Sequence, residues 1–121
     1  EDGWGYSQAC AVARDALDCL AEVRRRLPME GWCSEHIQAL QDASQVYKAL
    51  ASWVTSGDDL CKLLKRRIDL LEPAVEQLSP SAFDWLCKEL RYELGDAYRD
   101  MLEIKIAQVD SHAKRVPADK L

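Results

Sequence analysis

Residues 61–73 read CKLLKRRIDLLEP and give the clearest indication of how this chain folds. The apolar residues in this segment recur at steps of three and four, which predicts a helix with one face turned toward a core. On such a helix Lys62, Lys65 and Arg66 lie on the flanks of the apolar face. Pro73 has no N–H to donate to the preceding turn, a loss of on the order of 3 kcal/mol in an isolated helix. We therefore expect the helix to bend near Pro73 and to be held there by neighbouring helices.

Length and composition predict one soluble, helical domain. With 121 residues the chain is long enough to bury a core but short for two domains. Charged residues make up 31% of it, and glycine and proline are few, which favours helices over long loops. The net charge of −5 argues against general nucleic-acid binding, so we expect a charged partner to be a basic protein. No apolar run reaches the ~18 residues that a membrane span requires.

The cysteines and histidines predict a reducing compartment and no metal site. The five cysteines have no paired spacing, which is typical of intracellular proteins. Cys33 and His36 form a C-x-x-H pair, but the other histidine, His112, is distant in sequence, and structural zinc needs four ligands. We expect no metal and no cofactor. The first residues lack the features of a signal peptide, and we expect the chain to be a piece of a longer protein.

Apolar periodicity and capping residues predict four helices. The first spans about residues 7–27 and the second about residues 34–56. Gly57 is expected to take the left-handed conformation that often ends a helix, with Asp58 capping the third helix. Ser79-Pro80 is expected to start the fourth and longest helix, because proline needs no N–H partner at the first helical position.

The arrangement of these helices is predicted to be all-α, with four antiparallel helices in two hairpins. Small residues among large aromatic ones favour a segment of an α-solenoid like that of tetratricopeptide repeats (TPR-like). A closed four-helix bundle is the alternative, because periodicity alone does not separate the two. We place the helical segment at residues 1–109 and a polar C-terminal extension at residues 110–121.

Short motifs follow one another in a characteristic order along the last three helices. Beside Cys61 through Pro73, they are His36-Ile37, Gln41-Asp42, Tyr47-Lys48-x-Leu50-Ala51, Leu78-x-Pro80, Glu93-Leu94-x-x-Ala97-Tyr98-x-Asp100-Met101 and Lys105-x-Ala107. In this order they resemble the C-terminal half of the KIF-binding protein family, the cytoplasmic kinesin-binding proteins. The resemblance spans residues 34–109, and the first helix matches only in character.

This resemblance implies a TPR-like α-solenoid that binds the motor domains of certain kinesins and keeps them off microtubules. Such a protein regulates microtubule-based transport as a cytoplasmic, cytoskeleton-associated inhibitor and adaptor, and is not an enzyme. Family members hold the motor with a concave face and with inter-helix loops of a longer solenoid. The alternative function is a TPR-like scaffold that binds a helix or peptide of another partner.

A row of carboxylates, here called the acidic row, follows one flank of the fourth helix. It consists of Glu89, Glu93, Asp96, Asp100 and Glu103. Like charges at this spacing oppose helix formation by about a few tenths of a kcal/mol per pair, so a compensating interaction is expected. One alternative is an ion-pair network with the basic residues of the third helix. The other is that part of the acidic row, with Glu89, Glu93, Asp96 and Asp100 as candidates, faces a basic partner such as the tubulin-facing side of a kinesin motor.

Two further groups are candidate contacts with a partner. Lys65 and Arg66 are expected on the flanks of the third helix, whereas Arg67 is predicted to turn inward and pair with a carboxylate. Met29 and Trp32 lie between the first and second helices, where they either anchor a partner or fold back onto the end of the hairpin.

No arrangement of residues indicates catalysis. The chain has no glycine-rich phosphate loop, its two histidines are far apart in sequence, and its carboxylates fall at solvated helical positions. The prediction is therefore a binding protein, whose isolated segment is able to associate with itself through exposed apolar ends.

Overall fold

The computed structural model describes residues 5–115, with side chains through residue 111. It contains four helices, and no strand occurs in this part of the chain. The helices are α1 Tyr6–Arg26, α2 Cys33–Ala51, α3 Gly57–Gln77 and α4 Asp84–Arg115. The all-α prediction is confirmed, and α4 continues without a break into the polar extension predicted from residue 110.

The helices pack against one another in chain order. α2 lies between α1 and α3, and α3 lies between α2 and α4. α2 and α4 touch only slightly, and α1 makes at most a marginal contact with α4. A closed four-helix bundle requires its first and last helices to meet, so this array is open. Whether it curves as tetratricopeptide repeats do stays a prediction.

Consecutive helices run antiparallel, because their opposite ends meet. Near the start of α3, Asp58 accepts a hydrogen bond from Gln108 Nε2 of α4 at 3.1 Å. Gly57 permits this approach, since a Cβ there would lie 2.9 Å from the same Gln108 nitrogen and 3.3 Å from Ile104 Cγ2.

The hydrophobic core surrounds α3. Its larger cluster joins α2, α3 and α4, and consists of Ile37, Leu40, Leu71, Ala74, Leu78, Cys87 and Leu90. A second cluster brings Leu64 and Ile68 of α3 onto Ala97 of α4. Pro73 is exposed while Leu71 and Ala74 beside it are buried, so packing on its inner side carries α3 through the proline to Gln77.

Three predictions about helix ends are wrong for identifiable reasons. α2 ends at Ala51 because the following amides hydrogen-bond three residues back, as Ser52 N does to Ala49 O, and this tightens the chain out of the helix. Gly57 is therefore the first residue of α3. It does not take the left-handed conformation, and Ser56 caps α3 in place of Asp58 by accepting from Asp59 N at 3.4 Å.

The start of α4 also differs from the prediction. The Ser79 hydroxyl lies 3.1 Å from the hydroxyl of Ser81, so it does not cap a helix beginning at Pro80. Instead Phe83 N donates to Ser79 O at 2.9 Å, which closes a turn before α4 begins at Asp84.

A buried polar cluster, here called the Arg67 clamp, connects three helices. Arg67 of α3 is only 3% exposed. Its Nε donates to Ser44 Oγ of α2 at 2.9 Å, and its Nη2 lies 3.8 Å from Glu93 Oε2 of α4. The inward orientation predicted for Arg67 is confirmed. Glu93 Oε2 is buried and accepts no hydrogen bond from the described residues, so the charge of Arg67 is its main compensation.

Replacing Arg67 by methionine is expected to lower the free energy of unfolding by about 3 kcal/mol, because the buried Glu93 charge loses its partner. Urea unfolding followed by circular dichroism measures this change. Adding Glu93→Met should recover most of the loss. Lys65→Met is the matched control and should change stability by less than about 1 kcal/mol, since the Lys65–Asp69 pair is exposed. Equal effects of the Arg67 and Lys65 substitutions would contradict a structural role for the clamp.

Candidate partner-binding surface

The acidic row of α4 follows a groove between α2 and α4. Near its closed end, Gln41 Nε2 of α2 donates to Glu89 Oε1 at 3.2 Å. Glu93 lies further along and belongs to the Arg67 clamp. Asp100 and Glu103 line the open end of the groove, where a cavity separates the α4 residues from those of α2. Three of the four predicted contacts on α4 thus lie along one groove.

The open end of this groove holds a largely apolar cavity of about 390 Å³. Its apolar lining comes from α2, α3 and α4, with Tyr47, Ala51, Leu60, Leu63, Leu64, Ile104 and Ala107. Lys48, Asp100 and Glu103 border it, and Arg67 forms part of its base. Neither Asp100 nor Glu103 forms an ion pair with another described residue. The arrangement suits an apolar side chain with a cationic neighbour, because the apolar side chain is removed from water while the cation meets unpaired carboxylates.

Asp96, the fourth predicted contact on α4, does not line this cavity. It accepts a hydrogen bond from Arg99 Nη2 of its own helix at 2.7 Å. Its carboxylate is therefore compensated locally, in an exposed pair of the kind that contributes little to stability.

Lys65 and Arg66 lie away from the groove, on the outer side of α3. Lys65 Nζ is 2.8 Å from Asp69 Oδ1, and this hydrogen bond raises the pKa of the Lys65 ammonium group. Arg66 is exposed and forms no ion pair within the described residues. With Met101 and Lys105 of α4, these two residues border a broad depression.

This separation of charge bears on the two explanations of the acidic row. The contact between Arg67 and Glu93 is the one ion pair that joins two helices in the described part of the chain. Lys62 and Lys65 pair with aspartates of α3 itself, so the predicted network between α3 and α4 is reduced to the Arg67 clamp. Asp100 and Glu103 form no ion pair within the described chain, although the cationic side chain of Lys48 borders the same cavity.

Met29 and Trp32 lie in the connection between α1 and α2. Met29 is half-buried and packs against the larger core cluster, as expected of a residue that folds back onto the hairpin. Trp32 is 49% exposed and precedes the first residue of α2. Gly31 between them has φ of 97°, a left-handed conformation that favours glycine and turns the chain toward α2.

Cys33 and His36 occupy structural positions at the start of α2. Burial raises the pKa of the Cys33 thiol, which disfavours the thiolate that binds metals. His36 Nδ1 lies 2.9 Å from Leu27 O and donates to that carbonyl. The described residues contain no group of three or more histidine, cysteine or acidic side chains placed to hold a metal. None of the described helices is both long and apolar enough to cross a membrane.

The apolar part of the groove was not predicted as a binding surface. Tyr47, Leu60 and Ile104 occupy apolar positions at helical spacing, a pattern that by itself predicts core residues, but the structure leaves them half-buried around the cavity. No pattern in the neighbouring sequence distinguishes these three residues from core residues. Their exposure depends on the cavity between α2, α3 and α4, which forms only when the helices pack.

Comparisons with known proteins agree with this helical segment. The family model described as "KIF-1 binding protein C terminal" matches residues 3–120. A protein named KIF-binding protein from Gallus gallus is 34% identical over 113 residues, covering 88% of this chain and 19% of the relative. The protein of that name from Homo sapiens is 34% identical over 89 residues, covering 74% of this chain and 14% of the relative.

A relative of lower identity matches a similar share of the chain. The KIF-binding protein of Drosophila melanogaster is 23% identical over 90 residues, covering 74% of this chain and 15% of the relative. No solved structure matches the chain. The chain spans less than a fifth of the length of these relatives. Since the family model matches nearly all of its residues, the chain belongs to the family of the KIF-1 binding protein C-terminal region.

Proposed function

We propose that this chain contributes to binding of a kinesin motor domain, and that the open end of the α2–α4 groove is a contact site. The name KIF-binding protein, shared by relatives that match most of this chain, supports kinesin as the partner. The single observation that carries the choice of surface is the apolar cavity bordered by the unpaired carboxylates of Asp100 and Glu103. A motor surface that binds the acidic exterior of microtubules would present the basic and apolar side chains that such a cavity accepts.

Masking of the track-binding surface is the proposed mechanism. The groove would bind the tubulin-facing side of the motor, which is also the side that binds a microtubule. The groove and the microtubule would therefore compete for the same residues of the motor, and the motor would be kept off its track. This role is one of binding, without catalysis or a cofactor. It places the protein in the cytoplasm, associated with the microtubule cytoskeleton through its motor partner, in the regulation of microtubule-based transport.

The other candidate contacts have secondary parts in this proposal. Glu93 is held by the Arg67 clamp, so we assign it to positioning the groove. Glu89, held by Gln41, and Asp96, paired with Arg99, would contribute long-range charge. Lys65 and Arg66 lie on another side of the array and would meet acidic parts of the partner. Trp32, exposed beside Met29, would provide an aromatic anchor at the end of the α1–α2 hairpin.

A scaffold for a different partner is the second candidate function. The apolar lining of the cavity and its charged border suit one face of an amphipathic helix from any suitably charged protein. Competition with microtubules separates the two functions, because a scaffold would hold a motor without covering its track-binding side.

Charge reversal at the border of the groove should weaken motor binding. Asp100→Lys with Glu103→Lys is expected to raise the dissociation constant for an isolated kinesin motor domain by about tenfold or more, because attraction becomes repulsion. Isothermal titration calorimetry at low salt measures the constant. Asp15→Lys with Asp18→Lys makes the same change in charge at the same spacing on α1 and is the matched control.

The control variant should bind the motor as the unmodified chain does, and both variants should retain the unmodified melting temperature. Equal affinities of the groove and control variants would remove the groove from the binding site. Absence of any motor binding by the unmodified chain would contradict the proposed function itself.

Microtubules should compete with this chain for the motor. In co-sedimentation with a fixed amount of motor domain, increasing amounts of the chain are expected to move the motor from the microtubule pellet to the supernatant. The Asp100→Lys, Glu103→Lys variant should need about tenfold more protein for the same release. Recovery of the chain in the pellet together with motor and microtubules would contradict masking and favour a scaffold.

A further inference from the structure

The cavity at the open end of the α2–α4 groove is lined by a buried cation. Arg67 is only 3% exposed, and the apolar side chains beside it in the cavity come from α2, α3 and α4. The cavity therefore lies between helices of this chain and not on the free face of an end helix. Its volume of about 390 Å³ falls within the range in which proteins bind small molecules.

Most hydrogen-bond donors of Arg67 have no acceptor in the described chain. The donor on Nε meets Ser44 Oγ at 2.9 Å, whereas Nη2 lies 3.8 Å from Glu93 Oε2, an ion pair too long to be a hydrogen bond. Nη1 and Nη2 donate to no described residue, and neither atom is fully enclosed by protein. A molecule that fills the cavity would displace solvent from these donors, so it must bring an acceptor of its own.

The charges around the cavity favour a ligand without net charge. The cations Lys48 and Arg67 are opposed by three carboxylates, those of Asp100, Glu103 and Glu93. An anionic ligand would be repelled by the excess negative charge and would lose its hydration among apolar side chains. A cationic ligand would be attracted to the rim carboxylates of α4 but would gain no hydrogen bond from Arg67. A neutral carbonyl oxygen is therefore the most suitable acceptor for the guanidinium group.

We propose that this cavity binds a neutral, largely apolar small molecule with one carbonyl oxygen, and that Arg67 donates a hydrogen bond to that oxygen. The apolar body of the molecule would contact Leu60, Leu63 and Ile104, and its removal from water would favour binding. The carbonyl oxygen would fix its orientation, as a few placed polar groups do in apolar pockets. The molecule would share the site proposed for the motor, but its binding does not require kinesin.

Three probes with the same aromatic ring test the chemistry of the ligand. Acetophenone carries a neutral carbonyl oxygen, ethylbenzene has none, and benzoate is anionic. Titration of the ¹⁵N-labelled chain with each probe, followed through the amide chemical shifts, gives the three dissociation constants. Acetophenone is expected to bind with a dissociation constant of about 1 mM or less and to shift the amides of cavity-lining residues. Benzoate should bind about fivefold more weakly or worse, because its charge must be desolvated.

Removal of the guanidinium group tests the role of Arg67. Arg67→Met with Glu93→Met removes both charges of the Arg67 clamp together. In this variant the affinity for acetophenone relative to ethylbenzene should fall about tenfold, because only the ketone loses a hydrogen bond. Arg66→Met changes the exposed neighbour of Arg67 and is the matched control, in which the relative affinity should stay the same. An equal loss of affinity for both probes would contradict the hydrogen bond.

Filling the cavity tests the location of the ligand and leaves the Arg67 clamp intact. Ala107 is exposed and lines the cavity, so Ala107→Trp should raise the dissociation constant of acetophenone by about tenfold or more. Ala21→Trp, at an exposed position of α1, should leave the constant unchanged. Absence of acetophenone binding, tighter binding of benzoate, or binding unaffected by Ala107→Trp would overturn the proposal. None of these results involves a motor domain, so the proposed kinesin contact is tested separately.

Discussion

Burial of Arg67 constrains how α2, α3 and α4 pack together. A guanidinium group that is 3% exposed must meet compensating groups, and it meets them on both neighbours of α3, at Ser44 of α2 and Glu93 of α4. These contacts restrict how α2 and α4 are placed along α3 to registers in which the three side chains coincide. The apolar clusters around Leu71 and Ile68 stabilise the same register by removing apolar surface from water.

The alignment of α2 and α4 along α3 also determines which charged side chains can pair. On the groove side of the clamp, the acidic row of α4 faces α2, whose residues compensate Glu89 but leave Asp100 and Glu103 unpaired. On the outer side of α3, Lys62 and Lys65 are satisfied within their own helix. Opposite charges that could have neutralised one another across α3 and α4 are therefore kept apart. An acidic, partly apolar groove results, and it provides the physical basis for proposing a basic partner there.

Much of the fold could be predicted from the apolar periodicity of the sequence. The four helices and the inward side chain of Arg67 depend on patterns within about one or two helical turns, and the structure bears them out. α3 continues beyond Pro73 with Leu71 and Ala74 buried beside it, and the bend expected there stays a prediction. The ends of the helices were harder to predict from the sequence. Whether Gly57 ends α2 or begins α3 depends on its approach to Gln108, a residue far away in sequence. Whether Ser79 caps α4 depends on a competing bond with Ser81.

The order of residues alone was enough to determine the helix class, the apolar faces and the charged flanks, because helical geometry converts a spacing of three and four into a common side. It could not determine which flanks meet. That was decided when α3 packed between α2 and α4, since the distance between two helices depends on side chains contributed by all three. Leu60 and Ile104 follow the same rhythm as Leu64 and Ala97, yet only the latter are buried, because the former border the cavity between α2, α3 and α4.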